Sequence, residues 1–191
     1  MKKILTILAA VVMLASCTMD APVRPIPRFS YKQYPATNVN VASVEVREDY
    51  RMPMQNPNVE HLMPLPLPQA VADWARSRFR ATGTTGTMVI TIRQASVSAK
   101  GLPTTEGVRG WFTLDQAERY DAKLLVEFNV EGTGDRAGSG DVNLTRGQTM
   151  GENASIQDRD RAWTNIEEAL LTDLDASTQK VLQERLPFLL N

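Results

Sequence analysis

The chain has 191 residues, 42% hydrophobic and 23% charged, with a formal net charge of −1. That composition suits one globular domain and lacks the basic excess of a dedicated nucleic-acid binder. One cysteine excludes an intramolecular disulfide framework and a cysteine-rich zinc site, and one histidine excludes His-pair metal motifs, so no metal or other cofactor is expected. No run approaches the ~20 apolar residues of a spanning helix, which excludes a polytopic membrane protein.

Lys2 and Lys3 form a short basic segment, and Ile4–Ser16 is an apolar stretch of 13 residues, the length of a signal-peptide core. It ends Leu14-Ala15-Ser16-Cys17. This ending resembles the lipobox of bacterial lipoproteins. The resemblance implies that Cys17 receives a diacylglyceryl thioether, that residues 1–16 are cleaved, and that the new amine is acylated by a chain such as palmitate. A buried CH₂ contributes about 0.8 kcal/mol, and more than one chain gives stable anchoring. Cleavage removes two lysines and no acid, moving the net charge from −1 to −3. Thr18 follows the cysteine where Asp favours retention at the inner membrane, so the resemblance implies an outer-membrane lipoprotein facing the periplasm, with the inner membrane as alternative.

Nine of the eleven prolines lie between Pro22 and Pro68, and all eleven glycines lie at or beyond Gly83. Residues 17–37 therefore read as an extended, proline-rich tether, and 38–191 as a single α+β domain. The alternation over Asn38–Tyr50 shifts parity between Val39/Val41 and Val44/Val46, which predicts one strand with a bulge near Ser43. A proline-rich connection carrying His61 follows. Val71, Trp74, Ala75 and Phe79 form an apolar stripe, predicting a helix over Pro68–Thr82 that Gly83 stops. Thr87–Ala99 reads as a second strand. Trp111–Tyr120 is ambiguous, with Thr113 and Gln116 as candidate caps of a short helical turn. Lys123–Glu131 alternates cleanly: Leu124, Val126, Phe128 and Val130 on one face, Glu127, Asn129 and Glu131 on the other. A fourth strand is expected over Gly138–Arg146. Ser155 and Asp158 suit a capping box that opens a last helix, ended by Pro187. About 30 residues of helix span roughly 45 Å, so a kink near Ala176-Ser177 is expected. The order β-α-β-β-β-α predicts a four-stranded, mainly antiparallel sheet with both helices on one face.

Catalytic constellations are not legible. Gly83-Thr84-Thr85-Gly86 lies between helix and strand, the reverse of a phosphate cradle. Ser139 has Ala137 where a nucleophile elbow needs glycine. His61 lies in a proline-rich connection and reads as a surface or packing residue. Glu127 and Glu131 stand roughly 13 Å apart along a strand, outside the separation of a glycosidase pair. Two features suit partner contact instead. Arg76, Arg78 and Arg80, with Arg76 and Arg80 one turn apart, give the first helix a basic edge. Trp111 and Phe112 are adjacent large aromatics, which in a strand point to opposite faces.

Taken with the lipobox, the element order over about residues 38–186 resembles small envelope lipoproteins of Gram-negative bacteria: the YajG-like lipoproteins, the LPS-assembly lipoprotein and the auxiliary lipoproteins of lipid ABC transporters. The resemblance implies a non-catalytic accessory or scaffold subunit of an envelope complex, in lipid transport or assembly. Its expected partners are membrane lipid through Cys17 and an envelope protein, with no nucleic acid. A small periplasmic hydrolase of envelope polymers and a lipid- or peptidoglycan-binding carrier are the competing classes.

Overall fold

Leu124, Val126, Phe128 and Val130, which alternate with polar residues, all turn into one buried layer. In the computed structural model, which describes residues 31–102, 116–134, 136–151 and 153–190, they lie on an inner strand of a four-stranded sheet. The elements in chain order are β1 (Thr37–Val39), β2 (Ser43–Glu48), α1 (Leu67–Arg78), β3 (Phe79–Ala81), β4 (Thr87–Gly101), β5 (Gln116–Thr133), β6 (Arg136–Gly151) and α2 (Ile156–Glu184). Single 3-10 turns occupy Tyr31–Gln33, Glu60–Leu62 and Pro187–Leu189. The main sheet has the order β2-β4-β5-β6; β2 runs parallel to β4 and the other pairs are antiparallel. β1 and β3 form a separate parallel pair. The fold is α+β.

Register explains the core. Ile90 stands opposite Phe128, and Phe128 opposite Gly140; Ile92, Val126 and Val142 form the next row. Both helices cover this face. From the α1 side, Trp74 meets Phe79 edge-on at 5.8 Å, and Phe79 meets Phe128 at 6.3 Å. On the α2 side, Trp163 packs edge-on against Tyr120 at 5.6 Å. The end of α2 lies directly on the backbone of β6: a Cβ at Gly140 would stand 2.3 Å from Val181 Cγ1, and one at Gly138 2.6 Å from Leu186 Cδ2. The opposite face of the sheet carries the charged and polar Glu45, Arg47, Arg93, Lys123, Glu127, Asn129 and Glu131 around the buried Val89 and Thr91.

Several elements differ from the sequence-based expectation. The bulged strand over Asn38–Tyr50 is two strands in two sheets: the parity shift marks the point where the chain leaves β3 and joins β4. Gly83 does not stop a helix. α1 ends at Arg78, and Gly83 lets the chain cross Asn40 and Val41 closely, since a Cβ there would stand 2.7 Å from their backbone. Gln116 opens a strand rather than capping a helical turn, while Thr113 lies outside the described residues. α2 is continuous for 29 residues, without the break near Ala176-Ser177. The flanking strands are 15, 18 and 16 residues long, roughly 50–60 Å at 3.3 Å per residue. The helix runs along them, so its length needs no kink. Its start is the capping box expected: Ser155 Oγ accepts from the Asp158 amide at 3.2 Å, and the Ser155 amide donates to Asp158 Oδ2 at 3.0 Å. The Ser155 hydroxyl, donating to Asp158 Oδ2 at 2.7 Å, and then the Ser155 amide hold the Asp158 carboxyl below its ordinary range.

Leu170 on α2 is fully buried. Leu170→Ala should cost about 2–5 kcal/mol, seen as a lower urea midpoint with an unchanged slope; an unmoved midpoint would contradict the burial.

Candidate functional site

The first described residues, from Tyr31, are laid into the cleft between the two helices. Tyr31 Oη donates to the Ala70 carbonyl of α1 at 3.2 Å. The Tyr34 and Thr172 hydroxyls, the latter on α2, share a hydrogen bond at 3.0 Å. Farther along, Arg78 Nη1 donates to the Pro35 carbonyl at 2.6 Å and to Thr37 Oγ1. β1 follows at once and pairs with β3, Thr37 opposite Phe79. This strap, Tyr31–Val39, joins the segment that carries Cys17 to the folded domain. Cys17 itself lies outside the described residues.

Arg78 is the node of the cleft. It is 4% exposed and its Nε donates to Asp175 Oδ1 on α2. Asp175 also accepts from Trp74 Nε1 at 3.3 Å and from Gln179 Nε2 at 2.9 Å. A buried charge without such partners would cost several kcal/mol. Glu167, about two α2 turns before Asp175, is 4% exposed. Burial, then the neighbouring Glu168 charge, pushes its carboxyl up from 4.5 to about 7. Nearby, burial and the Asp73 and Glu167 carboxylates raise the Tyr31 phenol.

A second node closes the outer edge of β4. Beyond β2, the Asp49 and Tyr50 amides donate to the Ile92 carbonyl at 3.1 and 3.0 Å. The chain then returns: Val59 N donates to Val97 O and Ala99 N to Pro57 O, both at 2.8 Å. The Glu60 carboxylate, fully buried, accepts the Val97 amide at 3.1 Å, Tyr50 Oη at 2.6 Å and Asn58 Nδ2 at 3.2 Å. A side chain thus takes the place of a missing strand carbonyl.

The residues singled out in the sequence fall in different places. Arg76 and Arg80 do not share a helical edge, because α1 ends between them; Arg80 stands exposed on β3. Arg76 is bonded to Glu48 at 2.9 Å and Asp73 at 3.1 Å, so its charge is offset within the domain. Trp111 and Phe112 lie outside the described residues. His61 is half-buried in the turn beside Glu60, with Nδ1 unbonded. Glu127 is held by Arg93 at 2.7 Å on the solvent face. A cleft of about 230 Å³ between the ends of β5 and β6 and the start of α2 is lined by Glu118, Met150, Ser155 and Arg159. Its carboxylate accepts from Tyr120 Oη, and Arg159 lies over the Trp163 ring at 5.5 Å.

Asp175 and Glu60 escaped the sequence reading, and Arg78, read there as part of a basic helix edge, is instead buried against Asp175. Asp175 carried a signal, an acid within the apolar spacing of α2. Glu60 carried none, since its partner amide comes from a strand distant in sequence.

No family model matches the chain, and no curated protein does. Among solved structures it overlaps a minor lipoprotein from Acinetobacter baumannii at 9% identity and a TM-score of 0.38, covering 75% of this chain and 91% of that one. It overlaps the rare lipoprotein B of Shewanella oneidensis at 13% identity and a TM-score of 0.36, covering 74% and 99%. A lipoprotein B of Nitrosomonas europaea overlaps at 9% identity and a TM-score of 0.39, covering 84% and 96%. All three are lipoproteins, the class whose lipobox Leu14–Cys17 resembles. At this overlap they add nothing to the α+β assignment, which rests on the strands and helices themselves.

Two outcomes test the cleft. Arg78→Met strands Asp175 and should cost about 3–5 kcal/mol, whereas Arg78→Met with Asp175→Leu should recover most of it in a double-mutant cycle. For Glu167, the folded state holds its proton more tightly than the unfolded chain. Stability is then full below about pH 4.5, falls as pH rises from there to about 7, and is level above, a loss of about 3 kcal/mol. Urea titrations should show that fall, and Glu167→Gln should flatten it.

Proposed function

We propose that the chain is a bacterial lipoprotein anchored through Cys17 to the outer membrane on its periplasmic side. Its domain serves as an accessory or scaffold subunit of an envelope complex, in lipid transport or assembly, and works by contact rather than catalysis. The observation that carries this reading is the strap. The chain on the Cys17 side enters the domain between α1 and α2 and is held there by Arg78, Tyr31 and Tyr34. An anchor attached in this way limits the domain's freedom at a membrane, which suits a subunit that presents surfaces to neighbours. The buried carboxylates Glu60 and Asp175 are committed to structural hydrogen bonds. Trp111, Phe112 and the exposed Arg80 are the residues assigned to partner contact.

Cys17→Ser should release the protein from membranes or leave an unprocessed precursor; normal processing with unchanged membrane fractionation would overturn the anchor. Trp111→Ala with Phe112→Ala should lose partners in pull-downs from solubilised membranes while membrane fractionation persists. Loss of function from Glu127→Ala or His61→Ala alone, with partners retained by the aromatic variant, would favour an enzyme instead.

A further inference from the structure

The two edges of the main sheet are built differently. On the β4 side, β2, Tyr50, Pro57–Val59 and the Glu60 carboxylate close successive stretches of backbone. On the other side lies β6, 16 residues long, whose outer edge no strand pairs among the described residues. Native sheets blunt such edges with proline, lysine, bulges or short strands. β6 has no proline and no lysine, its Asp141 and Arg146 are each held in an ion pair, with Arg185 and Asp173, and its ladder with β5 is regular from Gly138 to Met150.

We propose that β6 pairs antiparallel with β6 of a second copy of this chain, about a two-fold axis at Leu144. The two four-stranded sheets then become one of eight. The strand tapers in a way that fits its own reverse. On the helix-covered side its first half carries Gly138, Gly140 and Val142, and its second half Arg146, Gln148 and Met150. Antiparallel pairing about Leu144 sets Gly138 opposite Met150, Gly140 opposite Gln148, and Val142 opposite Arg146. Met150 and Gln148 then meet glycines, Arg146 meets Val142, and Leu144 meets its own copy. On the solvent side the pairs are Ser139 with Thr149, Asp141 with Gly147, and Asn143 with Thr145, so no like charges oppose.

α2 leaves room for this approach. Asp173 pairs with Arg146, which fixes the side of the helix that looks toward β6. Ala169 and Ala176 fall on that side by helical spacing. A groove of about 400 Å³ runs there, lined by Arg146, Ala169 and Asp173 among others. In the paired molecule α2 of each copy flanks the joined edge, and small side chains permit close packing. The proline-rich tether is a poor occupant, because Pro22, Pro25 and Pro27 lack the amide donors that a ladder needs.

The test uses the full chain with Cys17→Ser, so that no lipid links two copies, purified in mild detergent. Light scattering at about 100 µM should give the protein mass of a dimer. Asn143→Lys with Thr145→Lys sets lysines of the two copies face to face and should raise the dissociation constant by at least about ten-fold. Asn143→Lys with Thr145→Glu sets each lysine against a glutamate of the other copy and should stay dimeric. Circular dichroism confirms that both variants fold; the second also supplies a folded comparison at the same positions. A monomeric parent overturns the proposal. So does a dimer that both variants leave equally intact, as a shared micelle would produce, or one that both disrupt alike.

Discussion

The ion pair between Arg78 and Asp175 is the constraint on which the rest of the helical layer depends. Each group is costly to bury alone, and their attraction offsets that cost only when the remaining hydrogen bonds are also met. Arg78 meets them with Pro35 and Thr37, and Asp175 with Trp74 and Gln179. Apolar packing tolerates small slides of one helix along another; a charged pair with several directional partners tolerates much less. The pair therefore sets α1, α2 and the strap in one mutual register. The β1–β3 ladder follows from it, since Phe79 is the next residue after Arg78 and stands opposite Thr37.

The sheet shows how polar and apolar requirements are separated. One face is closed by both helices and holds the apolar rows; the other is a lattice of charges, with Arg93 bonded to Glu127 and Asp49, and Arg47 to Glu45. Glu127 stands directly opposite Asp141, an arrangement that would repel. Arg93 and Arg185 each draw one of these acids away, Arg185 reaching Asp141 at 3.2 Å. Such exposed pairs contribute little to stability individually, and their work is to keep this face free of like-charge contacts.

How much of this was legible follows from the range of each interaction. Lys123–Glu131 announced its two faces because alternation is local, and Ser155 with Asp158 announced the start of α2 because a cap spans a single turn. The first part of β5, Gln116–Asp121, was not legible: its polar residues show no apolar alternation, and they are held as strand by β4 and β6 on either side. The split of Asn38–Tyr50 left a trace in the parity shift. Reading it as a bulge was the local solution, whereas the actual one requires β3 and β4, which come later in the chain. Arg80 looked helical because Trp74 to Phe79 keeps the apolar spacing; Phe79 is buried, but from a strand. Of the residues assigned to contact, Arg76 and Arg80 stand within the described structure, Arg76 paired with Glu48 and Asp73, and the spacing that linked the two was that of a helix already ended.

The parallel pairing of β1 with β3 also fixes how the domain answers to force. A pull on the chain ahead of Tyr31 draws β1 lengthwise, along its own axis. The three paired positions Thr37–Phe79, Asn38–Arg80 and Val39–Ala81 then share the load in shear, instead of parting one after another as in a peeled hairpin. The Arg78 bonds to Pro35 and Thr37 stand ahead of them in the line of tension. Resistance to such a pull is thus concentrated at Pro35–Val39, where the chain enters the domain, and the long strands behind it stay unloaded until that point yields.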